Sequence, residues 1–330
     1  MSNVLVTGGL GYLGSHVVTK LLLRGHNPII VDNLSNSKIE VLDGITKITK
    51  KRPLFFQGSV LDKNFISNVF SEFHFDAVMH FAGFKSVLES SLIPLEYYSL
   101  NVGGSLTILE EMKKRDIKQF IFSSSATVYG ETGQEIFYET SALHPISVYG
   151  RSKLMVEDIL RDFYNSNKDW SITILRYFNP VGAHPSGNIG EDPKGVPCNL
   201  MPILCKVAAK KIPVLKIFGG DYPTSDGTGA RDYIHVMDLA EGHISALTNS
   251  KSGLFTFNLG TGKSTTVLEL IHSFEKVTST KVPYELCSRR NGDIASCYAD
   301  PTLIKKELGW QAVYGIDEMC RDAWNWEKHH

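Results

Sequence analysis

Residues 4–14 read Val4-Leu5-Val6-Thr7-Gly8-Gly9-Leu10-Gly11-Tyr12-Leu13-Gly14, a short apolar run followed by a glycine-rich turn. The apolar-periodic stretch 17–23 comes next, so the pattern predicts a strand, a turn and a helix. Glycines at Gly8, Gly11 and Gly14 permit a tight turn, close approach of the backbone to a pyrophosphate, and packing of the helix on the sheet. The pyrophosphate would lie at the helix N-terminus, where free N–H groups favour anions. We infer a dinucleotide-binding unit.

A carboxylate follows the second predicted strand. Residues 28–31 are apolar and end in Asp32, eighteen residues after Gly14. A carboxylate at this place accepts hydrogen bonds from the adenosine ribose and repels a 2′-phosphate. The sequence therefore predicts NAD, in preference to NADP, as the cofactor.

Length, charge and cysteine content are typical of a globular enzyme. The 330 residues predict two lobes or one enlarged α/β domain. The 34 basic and 35 acidic side chains nearly cancel, so we expect no nucleic-acid or anionic-membrane partner. The cysteines lack CxxC spacing, which argues against a disulfide framework or a zinc site and for a reducing compartment. They are Cys198, Cys205, Cys287, Cys297 and Cys320.

Membrane, secretion and metal signals are weak throughout. No apolar run approaches the length of a membrane helix, and Met1 leads almost directly into the first predicted strand. The eleven histidines form no convincing ligand cluster. We expect a cytoplasmic protein without a signal peptide or a metal site.

The first half of the chain alternates predicted strands and helices, which is typical of a parallel sheet covered on both faces. Further strands are predicted at 54–56, 77–81, 119–122 and 172–175, and helices at 64–70, 94–115 and 150–164. Beyond Asn179-Pro180 the sequence becomes rich in Gly and Pro, and the predicted elements are short, at 215–218, 236–247, 255–258, 266–277 and 301–308. We predict a Rossmann-type doubly wound parallel sheet in the NAD-binding domain, residues 1–179. A smaller mixed α/β substrate domain would follow in residues 180–330.

Three segments of the first half follow predicted strands directly. They are residues 81–83, Ser125 and residues 177–179. Ligands of doubly wound sheets bind outside the carboxyl ends of the strands. We therefore expect these segments to converge on one crevice.

Ser125, Tyr149 and Lys153 form a predicted proton-transfer group. Tyr149 and Lys153 are four residues apart, so on a helix they lie on one face. A free phenol has a pKa of about 10, and a nearby ammonium favours the phenolate and lowers that pKa. A serine hydroxyl can share a substrate oxygen with the phenol. The set would transfer a proton while a carbinol is oxidised or a ketone is reduced.

The sequence resembles the extended short-chain dehydrogenase/reductase family, and within it the branch of UDP-galactose (UDP-glucose) 4-epimerases. The likeness runs from Val4 to about Trp326. The stretches that carry it are residues 6–9, 31–36, 80–85, 122–130, 175–187 and 226–240. The resemblance implies a transient 4-keto sugar, tightly held NAD and UDP-hexose substrates. Helices 94–115 and 150–164 match those that pair in family dimers, so it also implies a homodimer.

The resemblance also implies roles for individual residues. Tyr149 would be the acid/base, Lys153 its ribose-binding partner and Ser125 the catalytic serine. Cofactor contacts would come from Gly8, Gly11, Tyr12, Leu13, Gly14, Asp32, Asn33, Leu34, Ser35, Asn36, Ser59, Val60, Phe81, Ala82, Gly83, Lys85, Tyr149, Lys153 and Phe178. The UDP-sugar would be bound by Lys85, Ser125, Tyr149, Asn179, Asn199, Leu200, Phe218, Arg231, Arg290, Asp293 and Cys297.

Two positions bear on how far the resemblance extends. Ser59 stands where the family usually has an Asp that contacts the adenine amine, so the contact here would be uncharged. Related dehydratases carry an acidic pair directly after the catalytic Ser or Thr, whereas this chain has Ala126 and Thr127. Without those carboxylates the sequence favours epimerisation. A different UDP-sugar oxidoreductase or decarboxylase, or a dinucleotide-binding module without catalysis, stays open as an alternative.

Cys297 aligns with the family position that lines the C2 side of the sugar. Members with Tyr there are restricted to the plain hexoses, whereas a small residue leaves room for a 2-acetamido group. The resemblance therefore implies activity on UDP-GlcNAc and UDP-GalNAc as well. The alternative is that Cys297 is simply a small buried residue.

Overall fold

The computed structural model describes residues 1–195, 197, 199–249, 251–290 and 293–330. The strands are β1 (Asn3–Thr7), β2 (Asn27–Asp32), β3 (Leu54–Gln57), β4 (Ala77–His80), β5 (Gln119–Ser125), β6 (Ile136–Phe137), β7 (Ser171–Tyr177), β8 (Asn179–Val181), β9 (Leu215–Phe218), β10 (Ala230–Arg231), β11 (Tyr233–His235), β12 (Gly253–Leu259), β13 (Thr265–Thr266), β14 (Tyr284–Cys287) and β15 (Ser296–Ala299). The helices are α1 (Tyr12–Leu23), α2 (Val41–Thr49), α3 (Lys63–Glu72), α4 (Val87–Ser90), α5 (Pro94–Tyr98), α6 (Gly104–Lys114), α7 (Val148–Ser166), α8 (Leu200–Ala208), α9 (Val236–Thr248), α10 (Val267–Thr278), α11 (Thr302–Leu308) and α12 (Ile316–Glu327).

A parallel sheet of seven strands forms the centre of the molecule, in the order β12-β7-β5-β4-β1-β2-β3. Side chains alternate between its two faces, so Val4 and Val6 enter one apolar core and Leu5 enters the other. Helices α1 and α9 cover the first face, and α3, α6 and α7 cover the second. The predicted Rossmann-type fold is confirmed. Its strand order reverses between β1 and β4, which is where such sheets bind ligands.

The position of β12 differs from the expectation. The stretch 255–258 was predicted as a short strand of the second half, but β12 pairs in parallel with β7 over its whole length. Helix α9 packs against α1 on the same sheet. The chain therefore returns to the first layer after residue 179, and strand pairing at such distance is not visible in a local pattern.

The predicted helix 94–115 is interrupted. Helix α5 ends at Tyr98, a π-helical turn occupies Ser99–Gly103, and α6 begins at Gly104. A turn of this kind widens the backbone and is frequent near functional sites. Apolar periodicity continues across the turn, so the sequence pattern did not predict it.

A smaller mixed part follows the large sheet. A four-stranded sheet has the order β13-β10-β15-β6, and two-stranded sheets pair β8 with β11 and β9 with β14. Helices α8, α10 and α12 enclose a separate apolar core. Helices α2, α8 and α12 were absent from the sequence predictions.

The described residues contain four free thiols and neither a membrane-spanning helix nor a cluster of metal ligands. Within them, no helix is long and apolar enough to cross a membrane. Cys205, Cys287, Cys297 and Cys320 are free thiols, and Cys198 lies outside the described residues. No cluster of three His, Cys, Asp or Glu side chains in the described ranges is arranged to hold a metal ion.

Candidate active site

The glycine-rich turn is shaped by close backbone contacts. Gly8 has φ of +69°, and a Cβ there would lie 2.7 Å from the backbone nitrogen of Ala82. A Cβ on Gly14 would lie 2.3 Å from the carbonyl oxygen of Gly8. Gly11 is the N-cap of α1 and offers no side-chain cap. The first turn of α1 therefore faces the crevice with backbone N–H groups, as a pyrophosphate requires.

Asp32 ties two loops of the cofactor side together. Its Oδ2 accepts a hydrogen bond of 3.1 Å from the backbone nitrogen of Leu10. Its Oδ1 accepts from the backbone nitrogen of Leu34 at 2.9 Å and from the Ser37 hydroxyl at 2.8 Å. The remaining lone pairs can accept ribose hydroxyls. The carboxylate thus fits the predicted ribose contact and also holds the turn that follows β2.

The other residues predicted for the cofactor flank the same strand ends. Residues 33–36 follow β2, and Leu34 adopts a left-handed conformation with φ of 58°. Ser59 follows β3 and its hydroxyl accepts from the backbone nitrogen of Leu61 at 3.2 Å, while Val60 is buried. The remaining members follow β1, β4 or β7: Tyr12, Leu13, Phe81, Ala82, Gly83, Lys85 and Phe178.

Ser125, Tyr149 and Lys153 meet at the carboxyl end of β5. Tyr149 and Lys153 share one face of α7, and the Lys153 Nζ lies 6.0 Å from the centre of the Tyr149 ring. Lys153 is buried, and its Nζ donates a hydrogen bond of 2.8 Å to the carbonyl oxygen of Ser123. The Ser125 side chain lies near the Tyr149 hydroxyl and counteracts the effect of burial on its pKa. The structure therefore brings the three predicted residues together.

Burial controls the electrostatics of this group. Removal from water raises the pKa of Tyr149, and the nearby Ser125 side chain opposes that rise. Burial lowers the pKa of Lys153 to about 8. The sequence predicted that Lys153 lowers the pKa of Tyr149, but in the ligand-free protein burial raises this pKa.

Three residues of the site were missed from the sequence. The Thr127 hydroxyl donates to the Ser125 hydroxyl at 3.0 Å. Asn101, in the π-helical turn, donates to the Ser152 hydroxyl at 2.9 Å, and its Oδ1 accepts from the backbone nitrogen of Phe84 at 2.8 Å. Glu191 pairs with Lys85 at 2.8 Å and accepts from Asn199 at 2.7 Å. Asn101 and Glu191 belong to no local motif, whereas Thr127 lies within the stretch 122–130 that carries the resemblance.

The residues predicted to hold the UDP half form two groups. In the first, Arg290 pairs with Asp293 at 2.9 Å and its guanidinium carbon lies 5.0 Å from the centre of the Phe218 ring. Arg231 lies 3.8 Å from the same carboxylate. Asn199 and Leu200 form the second group, at the start of α8. Glu191 connects this second group with Lys85 of the cofactor side.

Cys297 and Asn179 lie beside the first group. Asn179 donates its backbone N–H to the carbonyl oxygen of Asp232 at 2.9 Å, directly after Arg231. Cys297 packs against a small apolar cluster that contains Phe178. Burial raises the pKa of the Cys297 thiol to about 11, so the side chain is a neutral thiol near neutral pH.

Comparison with known proteins agrees with this geometry. The sequence model of the family described as GDP-mannose 4,6 dehydratase matches residues 5–323. UDP-glucose 4-epimerase of Bacillus subtilis (strain 168) is 50% identical over 326 residues, which cover 98% of this chain and 96% of that protein. The chain belongs to the UDP-glucose 4-epimerase family.

Solved structures of the family superpose closely on the chain. UDP-glucose 4-epimerase from Stenotrophomonas maltophila, with bound NAD and formylated UDP-arabinopyranose, is 46% identical with a TM-score of 0.98, covering 100% of this chain and 98% of that one. The UDP-Glc/GlcNAc 4-epimerase from Campylobacter jejuni is 36% identical with a TM-score of 0.87, covering 100% of both chains. The Rossmann crevice described above is therefore that of a 4-epimerase fold.

Proposed function

We propose that the chain is an NAD-dependent 4-epimerase that interconverts UDP-glucose and UDP-galactose. The single observation that carries this proposal is the cluster of Tyr149, Ser125 and Lys153 at the carboxyl end of β5, where the Lys153 Nζ lies 6.0 Å from the centre of the Tyr149 ring. Ala126 and Thr127 leave the site without the carboxylate pair that related dehydratases use. The site can move a proton on and off one sugar hydroxyl.

The residues present fit NAD. The close contacts at Gly8 and Gly14 leave a cradle without side chains at the N-terminus of α1, and Asp32 presents a carboxylate beside it. When bound, NAD supplies reversible acceptance of a hydride from C4 of the sugar. The Stenotrophomonas relative was crystallised with NAD, which supports the assignment.

Tyr149 is the group that exchanges the proton. As the C4–H bond breaks with its electron pair, Tyr149 would accept the proton of the 4-hydroxyl group in the phenolate form, which the Lys153 ammonium and a bound nicotinamide cation would favour against burial, and a 4-keto sugar results. Ser125, oriented by Thr127, donates a hydrogen bond to the same oxygen. After the keto sugar has rotated within the site, Tyr149 would return the proton while hydride is delivered to the opposite face of C4.

The UDP half would be held away from the reacting carbon. Arg231 and Arg290 flank one carboxylate, Asp293, and their donors suit a diphosphate. Phe218 lies under Arg290 and offers an aromatic face to uracil. We assign Asn179, Asn199 and Leu200 to the same half. Firm binding there lets the sugar stay free to rotate.

We further propose that the enzyme accepts the N-acetyl sugars. Cys297 is half-buried beside Phe178, and it occupies less volume than a tyrosine would. The Campylobacter relative is described as a UDP-Glc/GlcNAc 4-epimerase. Both observations support turnover of UDP-GlcNAc and UDP-GalNAc.

We also propose which part of the chain binds which ligand, and that two chains form a homodimer. We assign NAD binding to residues 1–179 and UDP-sugar binding to residues 180–330, although β12 and α9 complete the first layer. Leu92, just before α5, is 80% exposed, Leu95 in α5 is 79% exposed, and Met155 on α7 is 45% exposed. Exposed apolar side chains on these helices support a homodimer.

A coupled assay on UDP-galactose tests the function. Protein purified without added NAD should release UDP-glucose, which UDP-glucose dehydrogenase then detects. Net oxidation or decarboxylation would instead consume the sugar without forming UDP-glucose. A binding module without catalysis would leave UDP-galactose unchanged, and either result contradicts the proposal.

A further inference from the structure

The end of β5 is aligned with α7 through three contacts. Successive serines of the strand each meet one of three helix residues spaced by four, which share one face of the helix. Lys153 donates a hydrogen bond to the Ser123 carbonyl oxygen, Glu157 accepts one from the Ser124 hydroxyl, and Tyr149 lies near the Ser125 side chain. Two of them belong to the proposed catalytic group. The third, at Glu157, has no role in the mechanism described above.

Glu157 is a fully buried carboxylate with three donors. The Ser124 hydroxyl donates to its Oε1 at 2.6 Å. Arg176 donates to both oxygens, at 3.0 and 2.6 Å, and Arg161 donates to Oε2 at 2.7 Å. Burial by itself would raise the pKa of Glu157, but the bonds from Arg176 and Ser124 and the positive charges hold it below its ordinary value. The carboxylate is therefore ionised and held in one orientation.

Arg176 is anchored on its other side. The guanidinium donates to the hydroxyl of Tyr129 at 2.9 Å and to the carbonyl oxygen of Glu139 at 3.1 Å. Tyr129 in turn donates to the side chain of Asn258 on β12 at 2.6 Å. Arg176 lies on β7 and is 1% exposed. The network thus extends from α7 through β5 and β7 to β12.

A buried ion pair of this kind contributes little net stability. Desolvation of the two charges offsets their attraction, and apolar replacements of similar volume are often neutral or stabilising. Such a network instead fixes the relative positions of the elements that carry the charges, because both charges must stay paired. Here the defined quantity is the position of α7 along its axis relative to the end of β5.

We propose that Glu157 is a positioning residue, which sets α7 so that Tyr149 and Lys153 meet the end of β5 correctly. The inference rests on the proposed epimerase function. Glu157 acts through geometry, since its hydrogen bonds with Ser124 and Arg176 join α7 to β5 and β7. A misplacement of about 1 Å at a reacting group can cost about 100-fold in rate.

Two variants test the link, with a matched control. Ser124→Ala removes the hydroxyl that reaches Glu157 and keeps the ion pair with Arg176. Glu157→Asp keeps the charge but shortens the reach. The control is Ser273→Ala, because the Ser273 hydroxyl also donates to a carboxylate, Asp317, at 2.6 Å, outside the proposed catalytic group. Each full-length protein is assayed for kcat, KM for UDP-galactose, the pH profile of kcat, bound NAD, and the free energy of unfolding.

We expect Ser124→Ala and Glu157→Asp to lower kcat by about 10- to 100-fold, with KM and bound NAD unchanged. The acidic limb of the kcat profile should move to higher pH, because a weaker contact with Ser125 lets the pKa of Tyr149 rise. Ser273→Ala should lower the free energy of unfolding and leave kcat and the acidic limb of its pH profile unchanged. If both variants only become less stable, with kcat unchanged, the positioning role is wrong. It is also wrong if kcat is unchanged and the variants instead show a higher KM or less bound NAD. An inactive wild-type protein would contradict the proposed function itself.

Discussion

Arg231 and Cys297 are register partners on the neighbouring strands β10 and β15. Residues in register on adjacent strands extend to the same side of a sheet. The pair therefore places a small neutral side chain next to a cation that we assign to the diphosphate. This relationship connects the choice of sugar with the group that anchors the nucleotide.

Cys297→Tyr should remove activity on the N-acetyl sugars and spare UDP-galactose. A phenol at this place fills the space that a 2-acetamido group needs, and a packed wall does not absorb that volume without strain. We expect wild-type turnover of UDP-GalNAc to fall by at least about 10-fold in the variant, with the UDP-galactose rate within about threefold of wild type. Cys297→Ser, which stays small, is the control. A wild-type enzyme without activity on UDP-GalNAc would contradict the role of Cys297 and leave the 4-epimerase proposal intact.

Tyr149→Phe should nearly abolish epimerisation while the fold and the affinity for UDP remain. Only the proton-transfer hydroxyl is lost, and such a group is worth about 10²- to 10⁴-fold in rate. Steady-state kinetics and calorimetric titration with UDP measure the two effects. Near wild-type kcat in Tyr149→Phe would show that another group exchanges the proton.

Asp32→Ala should weaken NAD binding and reduce discrimination against NADP. The variant loses the acceptor for the ribose and also the bonds to Leu34 and Ser37, so the turn after β2 should loosen. Cofactor content after purification and titration with both dinucleotides measure the change. Asp32→Asn keeps an acceptor without the charge and separates the two effects. Equal affinity of the wild-type protein for NAD and NADP would contradict the assignment of Asp32.

Acid should destabilise the protein through buried neutral histidines. Burial lowers the pKa of His16 and His80 to about 3 and that of His243 to about 4. The unfolded chain binds these protons below about pH 6.5, so the free energy of unfolding falls as pH drops from there towards about 3. Each group contributes up to about 1.4 kcal/mol per pH unit in that window.

His16→Met should flatten this pH dependence. Within the described part of the chain, the Nε2 of His16 is buried and has no hydrogen-bond partner. Its Nδ1 contacts the carbonyl oxygen of Tyr12 at 2.6 Å, and this oxygen also accepts a hydrogen bond from the Ser15 hydroxyl, so the variant leaves it paired. Urea unfolding at about pH 7 and about pH 5 should show a smaller difference in the variant than in wild type. Equal differences would mean that His16 already binds a proton in the folded protein.

Leu95→Glu should yield monomers if the homodimer forms through α5 and α7. A buried unpaired carboxylate at an apolar interface is strongly unfavourable, whereas the isolated chain exposes 79% of Leu95. Sedimentation at several concentrations measures the state of assembly. Val313→Glu is the control, since Val313 is 77% exposed away from these helices. A wild-type monomer at all concentrations would contradict the dimer.

Much of the fold was predicted because its signals are local. The strand, glycine turn and helix at residues 4–23 follow from apolar periodicity and from backbone sterics at Gly8. Tyr149 and Lys153 share a helix face by spacing alone. The ribose contact of Asp32 could be predicted because this residue directly follows an apolar strand in the sequence.

Tertiary structure decided the rest, because it depends on contacts between residues far apart in the chain. The pairing of β12 with β7, the bonds of Asn101 across its π-helical turn, and the bridge from Lys85 through Glu191 to Asn199 have no local pattern. Glu157 and Arg176 look like ordinary surface charges in the sequence. Only packing removes them from water, and an ion pair without water must be fully bonded, which is why it defines how the helix meets the sheet.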